Sequence, residues 1–480
     1  MKVCGNGGFI DMVDEVGLRD VGAGRQSCAL VGPRTSTEVC MTVADTVAPL
    51  VRAVVGAQVP VGIRCWDGSR SGPSDAPWQV HIVNRRCLRR LLWAPNDLGF
   101  ARAYVSGDID IEGDLLAGLD VLEQVSDPSR GPGVRIDKQT KKALATAALR
   151  LGIIGLPPKP PAEEMKPARG HRHDKDRDAA AISHHYDVGN DFYRLVLGES
   201  MTYSCAYWAE PSADLDAAQY AKCDLVARKL GLTAGMRVLD VGCGWGTFAL
   251  HAARNYGVHV VGVTLSHEQA EYAGKRMVDA GVGDLVQIRV QDYRDVTDGP
   301  YDAISSIGMA EHVGAAMLAT YAADLFALLR PRGRLLNHAI SRRPGEPAAK
   351  FSKTSFIDRY VFPDGEIEPI APMIEALEGA GFEVRDVESL REHYALTLRA
   401  WVGNLEANWD EAVSHSSAGR ARVWRLYMAG AALAFAANRL GINQVLAVKS
   451  SERGDSGMPG TRAELLQSSA PIASWPGREQ

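Results

Sequence analysis

The chain has 480 residues, 46% hydrophobic and 23% charged, with 53 Lys and Arg against 58 Asp and Glu for a net charge of -5. That length suits two domains, and the composition is that of a globular protein able to bury a sizeable core unaided. The mildly acidic balance argues against a nucleic-acid partner, which would draw a strong basic excess.

Residues 1–40 are Gly-rich without a sustained period. They read as disordered, or as an extension ahead of a start at Met41. Asp11, Asp14 and Glu15 interrupt any signal peptide after Lys2. Val47, Leu50, Val51 and Val54 carry a helical apolar spacing. Residues 41–155 read as a small α+β domain. Val61–Trp66 and Gln79–Val83 alternate as strands, Asp67-Gly68 and Ser71-Gly72 mark turns, and a helix covers Arg85–Leu92. Basic and apolar residues interleave over Arg85–Trp93. This fits an anionic membrane surface, or equally a solvated arginine face with Leu88, Leu91 and Leu92 in the core. Ala143–Leu156 is apolar but too short to span a bilayer; it reads as a packing helix or a surface anchor.

Pro157, Pro158, Pro160 and Pro161 stiffen a linker over 156–182, which carries a run of alternating charge at His171–Asp178. From 219 to 340 helix and strand alternate in the manner of a doubly wound, mostly parallel sheet. The strands are Arg237–Val241, Val258–Val263, Val286–Val290, Tyr301–Ile307 and Gly333–His338. A mainly helical segment is expected over 350–445, and a disordered tail over 449–480. The eight cysteines, at 4, 28, 40, 65, 87, 205, 223 and 243, include no C-x-x-C pair. They read as reduced thiols of a cytosolic protein, with no metal site.

The strongest local signal is Val238-Leu239-Asp240-Val241-Gly242-Cys243-Gly244-Trp245-Gly246, an apolar strand entering a glycine turn and then a helix. Glycine lets the backbone turn tightly and a ligand approach closely. Thr247 breaks the G-x-G-x-x-G spacing of a dinucleotide site. Thr264-Leu265-Ser266-His267-Glu268-Gln269 and Gln291-Asp292-Tyr293-Arg294-Asp295 fall where the next two strands end, and ligands of such sheets bind at the strands' carboxyl ends. Ser266 alone would also make a plain helix cap.

These stretches resemble the class I S-adenosylmethionine-dependent methyltransferases, and among them the family of cyclopropane-fatty-acyl-phospholipid synthases and mycolic acid cyclopropane synthases. Further matching stretches are His185–Asn190, Thr202–Trp208, Ser306–Gly314, Asn337–Ile340, Tyr360–Gly365 and His393–Leu398. The resemblance is dense over 183–446 and looser over 60–125, where Tyr104–Gly113 is similar to the family's N-terminal lipid-binding-like domain. It implies a Rossmann-like α/β methyltransferase domain over 183–448. Tyr203 and Ser204 would touch the methionine part of the cofactor, and Asp240, Gly242 and Gly244 would line it. Thr264, Leu265 and Gln269 would hold the ribose region, and Asp292 and Tyr293 the adenine.

The chemistry implied is addition of a one-carbon unit to the double bond of an unsaturated phospholipid acyl chain. The resulting carbocation needs oriented negative charge, aromatic faces, a base and a dry site. Family resemblance implies bicarbonate as that base, with ligands mapping to Cys205, Glu311, His338 and Tyr394. Taken singly, each of these reads more readily as a packed or capping residue than as a ligand. The product would be a cyclopropane or a methyl-branched chain. Two departures stand out. Ala431 occupies a late-helix position where some relatives carry Cys, and Ala310 precedes Glu311 where relatives often have an aromatic, so the acyl pocket is expected to be larger. The resemblance also implies a peripheral enzyme on the inner face of the plasma membrane and a homodimer. A small-amine N-methyltransferase and a non-catalytic lipid carrier are the competing readings.

Overall fold

The computed structural model describes residues 41–55, 61–126, 145–165, 189–344, 355–363 and 365–467. The chain divides into two compact units, Met1–Glu164 and Met165–Gln480.

The first unit holds a four-stranded sheet of order β2-β1-β3-β4, from β1 (Gly62–Cys65), β2 (Arg70–Ser71), β3 (Trp78–Ile82) and β4 (Ile109–Gly113). Trp78, Val80 and Ile82 of β3 and Ile109 and Ile111 of β4 turn one face inward, the period-two pattern the sequence carries. Helix Arg86–Trp93 is pinned by its own basic residues. Arg90, itself buried, donates from Nε to buried Asp108 at 2.8 Å and from Nη1 to the Lys159 carbonyl at 2.8 Å. Arg89 Nε donates to the Ile153 carbonyl at 3.0 Å, and Trp93 Nε1 to that of Gly155 at 2.9 Å. The start of the proline-rich segment is therefore tied to this helix. Glu164 is gripped at both carboxylate oxygens by Arg102, at 2.7 Å each. The rest of the linker expected over 156–182, from 166 on, lies outside the described residues, as do residues 1–40. The helix and the 149–156 segment together leave Trp93, Leu149, Ile154 and Leu156 exposed, Leu156 to 84%. Exposed Arg85 and Arg150 stand in the same two segments.

The second unit is a seven-stranded sheet of order β10-β11-β9-β8-β5-β6-β7. Its strands are β5 (Arg237–Val241), β6 (His259–Thr264), β7 (Val286–Val290), β8 (Tyr301–Ile307), β9 (Leu329–Arg342), β10 (Glu383–Ser389) and β11 (Leu440–Val448). β5 through β9 pair in parallel, whereas β11 runs antiparallel to both β9 and β10. Apolar clusters cover both faces: Leu239, Val241, Ile304, Tyr321 and Leu325 on one, Val238, Val260, Phe248, Val226 and Leu336 on the other. This is the expected doubly wound, mostly parallel sheet, with every predicted parallel strand present.

Three expectations are amended. The 350–445 segment is mainly helical as expected but not only helical, since β10 lies within it and β11 begins there. β10 alternates charged and apolar residues at the sheet edge, and β11 follows helix Ala418–Ala436 with no proline between them. β9 starts at Leu329 rather than Gly333; its register shifts opposite Tyr301 and Ala303, so the chain reads through Pro331 and Gly333. The expected disordered tail is structured over 449–467. Helix Arg462–Leu466 is fixed by Arg462, which reaches Asp386 and Glu388 of β10 at 3.2 Å each. The same two carboxylates hold Lys229, whose side chain is wholly buried, at 3.1 and 2.6 Å. Removing a buried ion's partner costs about 3–5 kcal/mol. Lys229→Ala is therefore expected to lower unfolding stability by about that amount in urea titration, whereas Arg462→Ala, whose guanidinium is half exposed, should cost much less.

Candidate active site

The cofactor cavity is built on the ends of β5, β6, β7 and β8. β5 is buried from Val238 to Val241 and delivers Asp240 to the cavity wall. The chain then turns through Gly242, Gly244 and Gly246, all at positive φ. The Gly242 and Cys243 amides both donate to the Val263 carbonyl at 3.0 Å, which fixes the turn to the end of β6. Gly246, at φ 77°, favours glycine for its backbone, and a Cβ there would also crowd Ala273 Cβ at 3.0 Å.

All ten residues expected at the cofactor line this one cavity: Tyr203, Ser204, Asp240, Gly242, Gly244, Thr264, Leu265, Gln269, Asp292 and Tyr293. Thr264 Oγ1 donates to Gln269 Oε1 at 2.8 Å, and Ser266 caps helix His267–Asp279 by accepting from the Gln269 amide. The capping and lining readings of that segment thus both hold. Asp292 is less open than expected, because Arg294 engages both of its oxygens, Nε to Oδ1 at 2.8 Å and Nη2 to Oδ2 at 2.6 Å. Tyr203 packs edge-on or tilted against Tyr193, Trp401 and Trp424.

Asp240 supplies the test of cofactor fit. Ser305 Oγ donates to its Oδ1, while Oδ2 is buried with no partner. Burial pushes its carboxyl up to about 6, against the Ser305 hydrogen bond and the Lys222 charge. A buried, unmatched carboxylate oxygen in a cavity wall suits a ligand that brings donors or positive charge.

The four residues expected at the base do not line this cavity. Three of them follow directly behind its wall. Cys205 succeeds Ser204, Glu311 lies two residues after Met309, and His338 on β9 is paired with Ile307. Cys205 is wholly buried and donates to the Ala206 and Leu390 carbonyls at 3.2 and 3.7 Å. Tyr394 shares that partner, its amide donating to the Leu390 carbonyl at 3.0 Å. Its ring meets Phe435 at 4.7 Å and Trp401 at 6.0 Å. Glu311 Oε1 accepts from the Ile340 amide at 2.7 Å, and Oε2 is out of solvent with no partner. Burial raises the Glu311 carboxyl to about 7, opposed by the Ile340 amide. Burial, helped by the Lys222 and Lys229 charges, lowers His338 to about 3, so its imidazole is neutral. Burial also pushes the Cys205 thiol far up, keeping it protonated. β11 joins the two pairs: the Ile442 carbonyl accepts from the Leu390 amide at 2.9 Å, and Gln444 lies opposite His338.

Several cavity and site residues escaped the sequence reading. On helix Leu215–Leu230, Gln219 Nε2 donates to the Ser204 carbonyl at 2.8 Å and Lys222 Nζ to Ser204 Oγ at 3.1 Å. Both are buried polar residues three apart on the face that also buries Cys223 and Val226, and that pattern was the available signal. Tyr427 interacts with Tyr203 and feels the Glu311 charge; burial pushes its hydroxyl up to about 12. Ala310 and Glu311 also line a second, small cavity. His185–Val188 and Asp364, within the matching motifs, lie outside the described residues. Asp240→Asn keeps the shape but removes the charge. It is expected to weaken S-adenosylhomocysteine binding roughly tenfold or more, the worth of one charge-assisted hydrogen bond, in isothermal titration calorimetry.

The match to known proteins agrees with this geometry. The family model for mycolic acid cyclopropane synthetase matches residues 173–445. A Mycobacterium tuberculosis protein described as a probable fatty acid methyltransferase is 43% identical, over 84% of this chain and 94% of its own. The cyclopropane-fatty-acyl-phospholipid synthase of Escherichia coli is 38% identical, over 79% of this chain and 90% of its own. The crystal structure of mycolic acid cyclopropane synthase CmaA1, complexed with SAH and CTAB, shares 35% identity at a TM-score of 0.53, over 56% of this chain and 97% of its own. The chain belongs to the mycolic acid cyclopropane synthetase family and is an S-adenosylmethionine-dependent methyltransferase.

Proposed function

We propose that the enzyme adds a one-carbon unit to the double bond of an unsaturated phospholipid acyl chain, with bicarbonate held by Cys205, Glu311, His338 and Tyr394 as the base. The cofactor, when bound, supplies an electrophilic methyl group. The observation that carries the reading is a pair of buried atoms without partners, Glu311 Oε2 and His338 Nε2, just behind the cofactor wall. Buried polar atoms are nearly always satisfied, so this pair suits a small polar guest.

Bicarbonate has one O–H to give and several oxygens that accept. Glu311 Oε2 would take that O–H, the His338 and Tyr394 protons would meet the oxygens, and the Cys205 S–H would join them by turning from the Ala206 and Leu390 carbonyls that it meets here. Amine methylation needs no such guest, which favours carbon over nitrogen as the acceptor. The aromatic faces of Tyr394, Phe435, Trp401 and Tyr203 offer electron density to a developing cation. Burial of the four base-site side chains excludes the water that would capture it. The assay that tests this reading uses methyl-labelled S-adenosylmethionine and liposomes of unsaturated phospholipid, with mass spectrometry of the fatty acids. A labelled gain of one carbon on the acyl chain is expected, and fragmentation separates ring from branch. Label entering small amines instead of lipid overturns the reading.

The Glu311 carboxyl, held near 7 by burial, sets the pH dependence. Above that value it is a carboxylate that accepts the anion's O–H; below it, two protons face each other. At fixed bicarbonate, kcat is expected to fall about tenfold per pH unit below 7, as for one essential ionisation. Glu311→Gln should give a low, flat profile, and an unshifted acid limb in that variant would assign the limb elsewhere.

Such a substrate sits in a bilayer. Trp93, Leu149, Ile154 and Leu156 present exposed apolar groups beside Arg85, Arg89 and Arg150, a composition suited to an anionic interface. Among the described residues no helix is long and apolar enough to cross a membrane. Combined Trp93→Ala and Leu156→Asp substitution is expected to cut sedimentation with anionic vesicles at least fivefold, at about 1 kcal/mol or more of lost contact, while S-adenosylhomocysteine binding is unchanged. Equal co-sedimentation would move the docking surface elsewhere.

A further inference from the structure

Gln444 is wholly buried on β11 and lies directly across the strand pair from His338. Its Nε2 stands 3.3 Å from His338 Nδ1. With the amide in this orientation Nδ1 accepts, the ring proton resides on Nε2, and the amide's own Oε1 is left buried without a partner; turned over, Oε1 would accept from Nδ1–H instead. His338 Nε2 is the same buried atom that has no protein partner. We infer that Gln444 is a positioning residue that fixes His338 as the Nε2–H tautomer, so that the imidazole presents a hydrogen-bond donor to the anion site rather than a lone pair. This rests on the reading of His338 as an anion ligand.

The assignment divides the labour within the site. An anion between two acceptors, Glu311 Oε2 and a bare His338 Nε2, would be repelled by both. With Nε2 protonated, Glu311 is the acceptor and His338 the donor, which matches a guest that carries one O–H and bare oxygens. The sheet makes the arrangement stiff, since His338 and Gln444 are cross-strand partners in a continuous ladder from Arg334 to Arg342. A glutamate at position 444 would accept from Nδ1–H and turn the lone pair of Nε2 toward the anion.

Nitrogen-15 NMR of histidine-labelled full-length protein tests this directly, with the His338 signals assigned by their loss in His338→Gln. The wild type is expected to show a protonated Nε2 and an unprotonated Nδ1. Gln444→Glu should reverse that pattern and lower kcat at least tenfold, with the KM for S-adenosylmethionine within twofold, because neither residue lines the cofactor cavity. Gln444→Leu, which removes the hydrogen bond without imposing the other tautomer, should show both tautomers and a smaller loss. A protonated Nδ1 in the wild type overturns the inference and, because a bare Nε2 would repel the anion, takes His338 out of the anion site; the bicarbonate dependence of wild-type activity then tests the anion-site reading separately. A reversed tautomer in Gln444→Glu with full kcat overturns the anion-site reading of His338, and with it the functional part of the inference. Equal losses in both variants without a tautomer change reduce Gln444 to packing and overturn it.

Discussion

The antiparallel pairing of β11 with β9 is the constraint on which the site depends. It sets His338 opposite Gln444 and Ile340 opposite Ile442. β8 ends at Ile307, level with His338, so the Ile340 amide has no β8 residue to pair with. The Glu311 carboxylate takes that place, at 2.7 Å. On the other side β10 ends at Ser389, level with Asn443, and the Ile442 carbonyl is met by the Leu390 amide. Leu390 in turn gives its carbonyl to Cys205 and to the Tyr394 amide. Glu311, Cys205 and Tyr394 are thus hung on the backbone where β8 and β10 run out and leave hydrogen-bonding groups to be satisfied, while His338 sits within β9 itself.

That way of building explains why the cluster keeps unmatched atoms. Leaving a buried polar atom without a partner costs about 1–3 kcal/mol. Glu311 Oε2, His338 Nε2 and Asp240 Oδ2 all carry that cost near the cofactor cavity. A sheet buried on both faces can hold them rigidly, and a ligand that satisfies them regains the cost as binding energy. In the same domain the buried Lys229 charge is instead neutralised by two carboxylates of the protein itself, Asp386 and Glu388.

The fold was legible where sequence periods were unmixed. β5, β7 and β8 have the predicted bounds because each carries apolar residues at strand spacing and stops at a polar or glycine turn. β10 was missed because Glu383-Val-Arg-Asp-Val-Glu-Ser is an edge strand whose charges pair with Lys229 and Arg462, contacts no local pattern reveals. β11 was missed because it follows a helix with only Asn438 and Gly441 as punctuation. The cofactor wall was legible from motifs, since each strand end contributes a short contiguous stretch. Gln444 and Tyr427 were not, because they come from a missed strand and from a helix whose residues are apolar almost all round. Their roles exist only across elements far apart in the chain. The convergence of Cys205, Glu311, His338 and Tyr394 rested on resemblance for the same reason.

The central claim is that Glu311 and His338 hold an anionic base that the protein does not itself supply. The most direct measurement is acyl methyl transfer in carbon-dioxide-depleted buffer, titrated with bicarbonate at fixed pH. The account predicts low activity restored saturably in the wild type, with saturation lost in Glu311→Gln and His338→Gln while both still bind S-adenosylhomocysteine. Full activity in depleted buffer, indifferent to added bicarbonate, would contradict it.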